Sequence, residues 1–186
     1  ATGITIHDGG RVRMVYNHAK SLPADITLHG YGDGQGALRN AINGYGLSAT
    51  VTVASATMIV TENNRTLNLN GPIGGTGESL TLAGDSGGDF YVAHANSPYA
   101  KKIIVTNGTV VISGTFPNIT SIWVDAGGVL EGLQSQFPLA TVTETNGGVW
   151  NQILSATWTG LGDGSNWTDT ANWSPQIVPS ETATIP

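Results

Sequence analysis

The first candidates for chemistry are three tryptophans close to the end of the chain. Trp158, Trp167 and Trp173 lie in ATWTGLGDGSNWTDTANW (156–173), where Gly, Asp, Asn, Ser and Thr separate them. A tryptophan in a polar loop can stack its flat apolar ring on a sugar ring. The same rings can instead cover the exposed end of a stacked fold, where strand edges and apolar interior would otherwise meet water. We expect this packing role, with sugar contact as the alternative.

Acidic side chains form a second set of candidates, because glycoside hydrolysis requires two carboxylates at a set separation. The candidates are Asp85, Asp89, Asp125, Glu131 and Glu144. They lie in turns or at strand ends without a defining motif, and we interpret them as solvated turn residues. A polysaccharide lyase would need a basic side chain among such acids, but the arginines and lysines do not cluster with Asp in the sequence.

The remaining motifs point away from catalysis. DSGG (85–88) shares only its letters with a serine-protease nucleophile phrase, and no G-x-S-x-G elbow is present. GPIGGTG (71–77) lacks the G-K-[ST] ending of a phosphate loop, so we predict a coil corner there. Asp163 and Asp169 could donate oxygens to Ca²⁺, but Asx turns explain them more simply. The sequence therefore predicts no catalytic residue, no metal site, no cofactor and no enzymatic activity.

Composition narrows the class of protein. Only 11% of the 186 residues are charged, Gly occurs 26 times, Cys is absent and the net charge is −6. Nucleic-acid binding needs a basic stripe, and none is present. No apolar run approaches the ~20 residues of a membrane-spanning helix. The chain begins without Met or a signal-peptide core, which is typical of a mature or excised segment.

Short alternating runs closed by Gly, Asn or Asp recur along the chain and predict strands. One phrase returns in IIVTNGTVVISG (103–114), SIWVDAGGVLEG (121–132) and TVTETNGGVW (141–150). Its turns are roughly twenty residues apart, which matches the coil period of β-solenoids. Helical signals are weak: GALRNAINGYG (36–46) is compatible with a helix, and LQSQFPLATV (133–142) is predicted to form one turn.

The segment 34–84 adds a family resemblance. It contains the phrase Gly36-Ala37-Leu38-Arg39-Asn40 and then a tail of regularly spaced Leu, Ile and Gly. The tail residues are Leu67, Leu69, Gly71, Ile73, Gly75, Gly77, Leu80, Thr81, Leu82 and Gly84. This pattern resembles the β-strand repeats associated with autotransporter passengers over most of 34–132, and it departs at 85–100. The resemblance implies a right-handed parallel β-helix on an exported bacterial surface protein, without implying a particular chemistry.

We therefore predict an all-β chain with a right-handed parallel β-helix over residues 1–150 and a Trp-rich C-terminal extension over 151–186. The extension resembles the segment that begins many such modules, although here it comes last. Residues expected to cap a solenoid or to contact another subunit are Trp158, Trp167, Trp173, Ile177, Val178 and Ile185.

The position of the extension suggests a structural function. We predict an extracellular or surface subunit that assembles head to tail, with ETATI (181–185) pairing with the first strand ITIHDGG (4–10) of the next copy. A tandem array within one longer chain is the nearest rival. A carbohydrate-binding module with a glycan partner is the alternative, and a polysaccharide-degrading β-helix is the third hypothesis. Neither nucleic acid nor a membrane span is expected.

Overall fold

The computed structural model describes residues 3–15, 24–85, 87–152, 155–174 and 182–184. The described residues form nineteen strands and two single-turn 3₁₀ helices, at Gln134–Gln136 and Thr170–Asn172. The strands are β1 (Ile4–Ile6), β2 (Val12–Met14), β3 (Ile26–Gly30), β4 (Leu38–Asn40), β5 (Tyr45–Leu47), β6 (Val51–Glu62), β7 (Thr66–Leu69), β8 (Ile73–Gly75), β9 (Ser79–Asp85), β10 (Asp89–Val92), β11 (Lys102–Thr106), β12 (Gly108–Ile112), β13 (Ser121–Val124), β14 (Gly128–Gly132), β15 (Thr141–Glu144), β16 (Val149–Gln152), β17 (Ser155–Trp158), β18 (Trp173–Ser174) and β19 (Thr182–Thr184).

Strands β1 to β16 stack in parallel, and each pairs with strands about one coil away in the sequence. For example, β12 lies between β10 and β14, and β11 lies between β9 and β13. Parallel pairing of this kind requires a long crossover between partners, which the intervening coil supplies. The result is a β-solenoid of about six turns, which confirms the predicted fold class.

The described strands lie on three faces of the solenoid, and face 1 has strands only in the earlier coils. Face 1 contains β1, β3, the first half of β6 and β8. Face 2 contains β2, β4, the second half of β6, β9, β11, β13 and β15. Face 3 contains β5, β7, β10, β12, β14 and β16. Strand β6 thus runs through two faces, because its residues pair first with β3 and β8 and then with β4 and β9.

The recurring phrase of the sequence occupies equivalent positions in successive coils. Ile103 pairs with Ile122, which pairs in turn with Val142, so the three phrases are in register on face 2. On face 3 the same phrases place Val110 beside Leu130. Their Gly- and Asn-containing turns fall at the corner between faces 2 and 3. The predicted coil period is therefore confirmed.

The core is the interior of the coils. Inward-facing side chains such as Val105, Val124 and Leu130 are fully buried, and Phe90, Phe116 and Phe137 fill the wider part of the interior. Burying a side chain of this kind stabilises the fold by roughly 1.5–3 kcal/mol. One coil alone could not bury these residues, so stability depends on stacking.

One prediction about local structure was wrong in part and one is confirmed. GPIGGTG (71–77) is not only a corner, because its centre forms β8 against β6. A side chain at Gly75 would overlap the backbone of Val53, so glycine permits this close strand approach. The helix-compatible stretch 36–46 contains β4 and β5. The single turn predicted in 133–142 is the 3₁₀ helix Gln134–Gln136.

Candidate functional site

Two of the acidic candidates hold the corner between faces 2 and 3. Asp89 accepts the N–H of Thr109 in the next coil at 3.0 Å. Asp125 accepts from the Asn146 amide at 2.7 Å and from the Ala126 N–H at 2.8 Å. The hydrogen bond from Asn146, followed by that from Ala126, lowers the pKa of Asp125. These carboxylates serve as turn acceptors, as the sequence predicted.

The other three acidic candidates occupy different settings. Asp85 ends β9 and forms an ion pair with Arg39 at 2.6 Å. Glu131 lies within β14, so the expectation of a turn residue was wrong there. Glu144 ends β15 and accepts the backbone N–H of Trp150.

A ladder of two arginines followed by two acids crosses the first four coils, and we call Arg13, Arg39, Glu62 and Asp85 the ion ladder. Arg13 donates to both oxygens of Glu62, at 2.8 and 2.7 Å. Arg39 donates to Glu62 with Nε and to Asp85 with Nη2, the latter at 2.6 Å. Glu62 is only 4% exposed, so its carboxylate depends on these partners for solvation.

The ion ladder is a structural device and not an acid–base pair. The Arg13 hydrogen bond, together with that from Arg39, outweighs the cost of burial and lowers the pKa of Glu62 from 4.5 to about 2. Glu62 is therefore an anion throughout the neutral range and holds no proton to donate. A general acid near neutrality needs a pKa raised toward the working pH.

Two adjoining cavities of about 300 and 410 Å³ lie beside the ion ladder and share Gly84, Asp85 and Asn107. They arise from a change in turn length, since residues 83–89 span the corner in one coil and 106–109 span it in the next. The shorter turn extends less far from the solenoid than the longer one, and the two cavities form the notch beside it. The larger cavity is lined mainly by glycine, and the smaller one by apolar side chains such as Met58 and Val60 together with Arg39 and Asp85 of the ion ladder.

The three predicted tryptophans are brought together in the extension. Ring centroids of Trp158 and Trp173 are 5.0 Å apart, those of Trp167 and Trp173 are 5.1 Å apart, and both pairs meet edge to face. Trp158 and Trp167 are 5.6 Å apart. Trp173 is 1% exposed and Trp167 is 50% exposed. The rings thus form a small core of their own, and none of them belongs to the core cluster of the described solenoid residues.

Asn172 organises the loop that carries these rings. Its side-chain oxygen accepts the N–H groups of Gly162 and Gly164 at 2.9 and 3.0 Å, and its amide donates to Asp163 at 2.7 Å. Hydrogen bonds from the Asn166 and Ser165 N–H groups and from Asn172 lower the pKa of Asp163. The Asx turns predicted for this loop are confirmed, because Asp163 accepts two backbone N–H groups and Asp169 caps Thr170–Asn172.

The extension forms a three-stranded sheet in which β17 is central. Strand β18 pairs with β17 antiparallel, through Trp173 and Trp158, and covers one edge. Strand β19 pairs with β17 in parallel on the other edge, with Ser155 opposite Thr182. The crossover between β17 and β19 contains the tryptophan loop, so this pair has the connectivity of a single solenoid coil with one edge covered.

Strand edges remain at both ends of the described chain. Among the described residues, β1 pairs only with β3, β15 only with β13, β16 only with β14, and β19 only with β17. Edges of this kind are templates for pairing with another strand. Glu144 distinguishes the β15 edge, because the register places it beneath the inward-facing Val124.

The other predicted interface residues and the remaining two tryptophans lie in different parts of the chain. Ile177, Val178 and Ile185 lie outside the described residues. Trp123 lies on the outer surface of face 2, 41% exposed, with the Lys102 ammonium 4.3 Å from its ring centroid. Trp150 is partly buried against Phe137.

Sequence reasoning missed the ion ladder and the position of Glu144. The sequence spacing of the charges could have indicated the ion ladder. Arg39 precedes Glu62 by 23 residues, which is the length of a coil and so places the two side chains in neighbouring coils.

Comparisons with known proteins give no family for this chain. No family model matches it, and neither a curated protein nor a solved structure is significantly similar. Within the described ranges, no helix is long and apolar enough to cross a membrane.

Proposed function

We propose that this chain is a structural β-solenoid subunit of an extracellular or cell-surface fibre. It assembles head to tail through its C-terminal extension, by strand addition between copies. The observation that carries this proposal is a pair of unequal strand edges that no other described strand covers, β1 at the start of the solenoid and β19 in the extension. A contact between two different surfaces repeats from copy to copy, and it generates a filament when the rotation between copies does not close a ring.

The fold supports a mechanical role. Stacked parallel coils make a rod whose length grows with coil number, and each coil is stabilised by its neighbours. The acidic side chains with defined partners hold turns, coils and strands together, as Asp89, Asp125 and Glu62 do. This use of polar groups suits a scaffold.

Deleting residues 156–186 tests the proposal. We expect the full chain to form filaments in negative-stain electron microscopy and the shortened chain to remain monomeric in light scattering. Far-UV circular dichroism should retain the strand signal of the solenoid and lose only that of β17 to β19, because the described core cluster ends at Trp150. Filaments that persist after the deletion, or a full chain that stays monomeric at high concentration, would contradict the proposal.

Glycan binding is a second candidate, favoured by the half-exposed ring of Trp167. Trp167→Ala is the informative variant, since Trp173 is buried and its loss would disturb the whole loop. A glycan array that shows binding to the full chain and none to Trp167→Ala would support this function. An array that shows no binding to the full chain would exclude it for the glycans tested.

A further inference from the structure

The strand edges also identify the joint itself, provided that the proposed fibre exists. We propose that the outer edge of β19 pairs in parallel with the outer edge of β1 in a second copy of this chain. The joint is then a continuation of the parallel stacking already present within each copy.

The first step is to decide which edge at the C-terminal end is used. Strand β17 is flanked by β18 and β19, so it offers no edge. Strand β18 has only two residues, and β16 ends the solenoid beside β15, so a coil stacked on β16 would also cover β15. The candidates that remain are β15 and β19.

The second step excludes β15. Glu144 stands in register with Val124 and, through it, with Val105, both of which are fully buried in the coil interior. A further coil stacked on β15 would enclose this carboxylate in an apolar interior, and the one hydrogen bond that it accepts from the Trp150 N–H does not replace the solvation lost by an ion. An inward-pointing charge is a known way of protecting a sheet end from edge-to-edge pairing. Strand β19 is therefore the edge that can accept a strand.

The third step concerns the receiving edge on β1. The N–H of Ile4 donates to the Asp25 carbonyl at 2.8 Å, and Ile4 pairs with Ile26 of β3. Backbone groups of neighbouring residues in a strand point to opposite sides, so those of Thr5 point away from β3. The Thr5 side chain is exposed. Thr5 therefore carries the N–H and C=O that a strand of another copy would bind.

The fourth step is direction. Strand β19 runs parallel to β17, and β1 runs parallel to β3. Pairing β19 with β1 of the next copy in the same sense continues both sheets. The β19 edge of each copy is then covered by β1 of the next copy. The two ends of the assembly therefore present different strand edges.

Thr5→Pro tests the joint in the full chain. Proline removes the outward N–H of Thr5 and leaves the hydrogen bonds between β1 and β3 in place, since it is tolerated on edge strands. We expect the critical concentration for filament formation to rise about tenfold or more. The matched control Thr5→Ala keeps the N–H and should assemble like the unmodified chain, and both variants should share its thermal unfolding midpoint.

The possible outcomes test the proposed β19–β1 joint separately from the proposed fibre. If the unmodified chain does not assemble, the proposed function fails. If it assembles and Thr5→Pro assembles equally well, the fibre stands and the β19–β1 joint is wrong. Equal loss in Thr5→Pro and Thr5→Ala would also overturn the joint, because the N–H would then be irrelevant.

The absence of cysteine from the chain provides a second measurement. Chains with Thr5→Cys are mixed with chains carrying a cysteine at one of the three β19 positions, 182, 183 or 184, and are then oxidised. We expect a disulfide-linked dimer from at least one mixture, since paired strands bring Cα atoms within bridging distance. Crosslinking of Thr5→Cys to Thr143→Cys on β15, or to none of the β19 positions, would overturn the proposal.

Discussion

At the scale of single residues, Glu62 shows how this fold uses charge. Its carboxylate is nearly inaccessible, yet two arginines from earlier coils reach it and one of them continues to Asp85 in the following coil. The four side chains connect successive coils on one face, where hydrogen bonds between strands already act. A buried ion pair of this kind is costly to break, because the remaining partner keeps its charge without compensation.

Glu62→Gln should destabilise the protein by about 3 kcal/mol at neutral pH, which corresponds to the lowering of the Glu62 pKa from 4.5 to about 2. A lowered pKa stabilises the folded state above the unfolded-state value and loses that contribution as the pH falls. The difference between the unmodified chain and Glu62→Gln should therefore be full above pH 4.5 and shrink as the pH approaches 2. Urea unfolding monitored by circular dichroism at several pH values measures this difference in the free energy of unfolding.

Glu131→Gln is the control for this experiment. Glu131 is a partly exposed glutamate within β14, and its substitution should change stability by no more than about 0.5 kcal/mol. A Glu62→Gln effect that is equally small, or that is independent of pH, would show that the ion ladder contributes nothing to coil stacking.

At the scale of elements, the extension is held by polar contacts around a small aromatic core. Asn172→Ala removes the acceptor for Gly162 and Gly164 and the donor to Asp163. The loop would lose three hydrogen bonds that hold it around the rings, each of which contributes roughly 0.5–1.5 kcal/mol. We expect tryptophan fluorescence to shift to longer wavelength and the near-UV dichroism of the coupled rings to weaken, while far-UV strand content stays constant.

Asn151→Ala provides the comparison, because Asn151 is exposed on β16 and should leave both spectra unchanged. Unchanged spectra in Asn172→Ala as well would mean that the rings do not depend on the hydrogen-bonded loop.

Elements were predictable where the same phrase returned in successive coils. The turns of 103–114, 121–132 and 141–150 marked one corner correctly because they repeat at the coil period. The continuous strand β6 was not predictable, since its course through two faces is set by β3, β4, β8 and β9 in other coils. The mutual packing of the three tryptophans was likewise hidden, because it depends on the antiparallel pairing of β18 with β17.

At the scale of the whole molecule, the two ends of the solenoid differ in chemistry. The first coil presents β1 and β2, whose Ile4 and Val12 pack on the core. The last coil places Glu144 where earlier coils have valine. This difference was readable in the sequence, because aligning TVTE (141–144) with SIWV (121–124) sets Glu144 opposite Val124. Such a rod has a defined polarity, and direct stacking of one solenoid on another is opposed.

Glu144→Val, made in the chain shortened by deletion of 156–186, should allow one solenoid to stack directly on another. The substitution gives the last coil the same inward residue as the coils above it, so its apolar interior can continue into the first coil of another copy. We expect the shortened parent to be monomeric and its Glu144→Val variant to form concentration-dependent oligomers in sedimentation velocity. Thr143→Val adds a comparable apolar group on the neighbouring, outward-facing position and should remain monomeric. Oligomers of the shortened parent itself would show that Glu144 does not protect this end, and the argument that directs assembly to β19 would then fail.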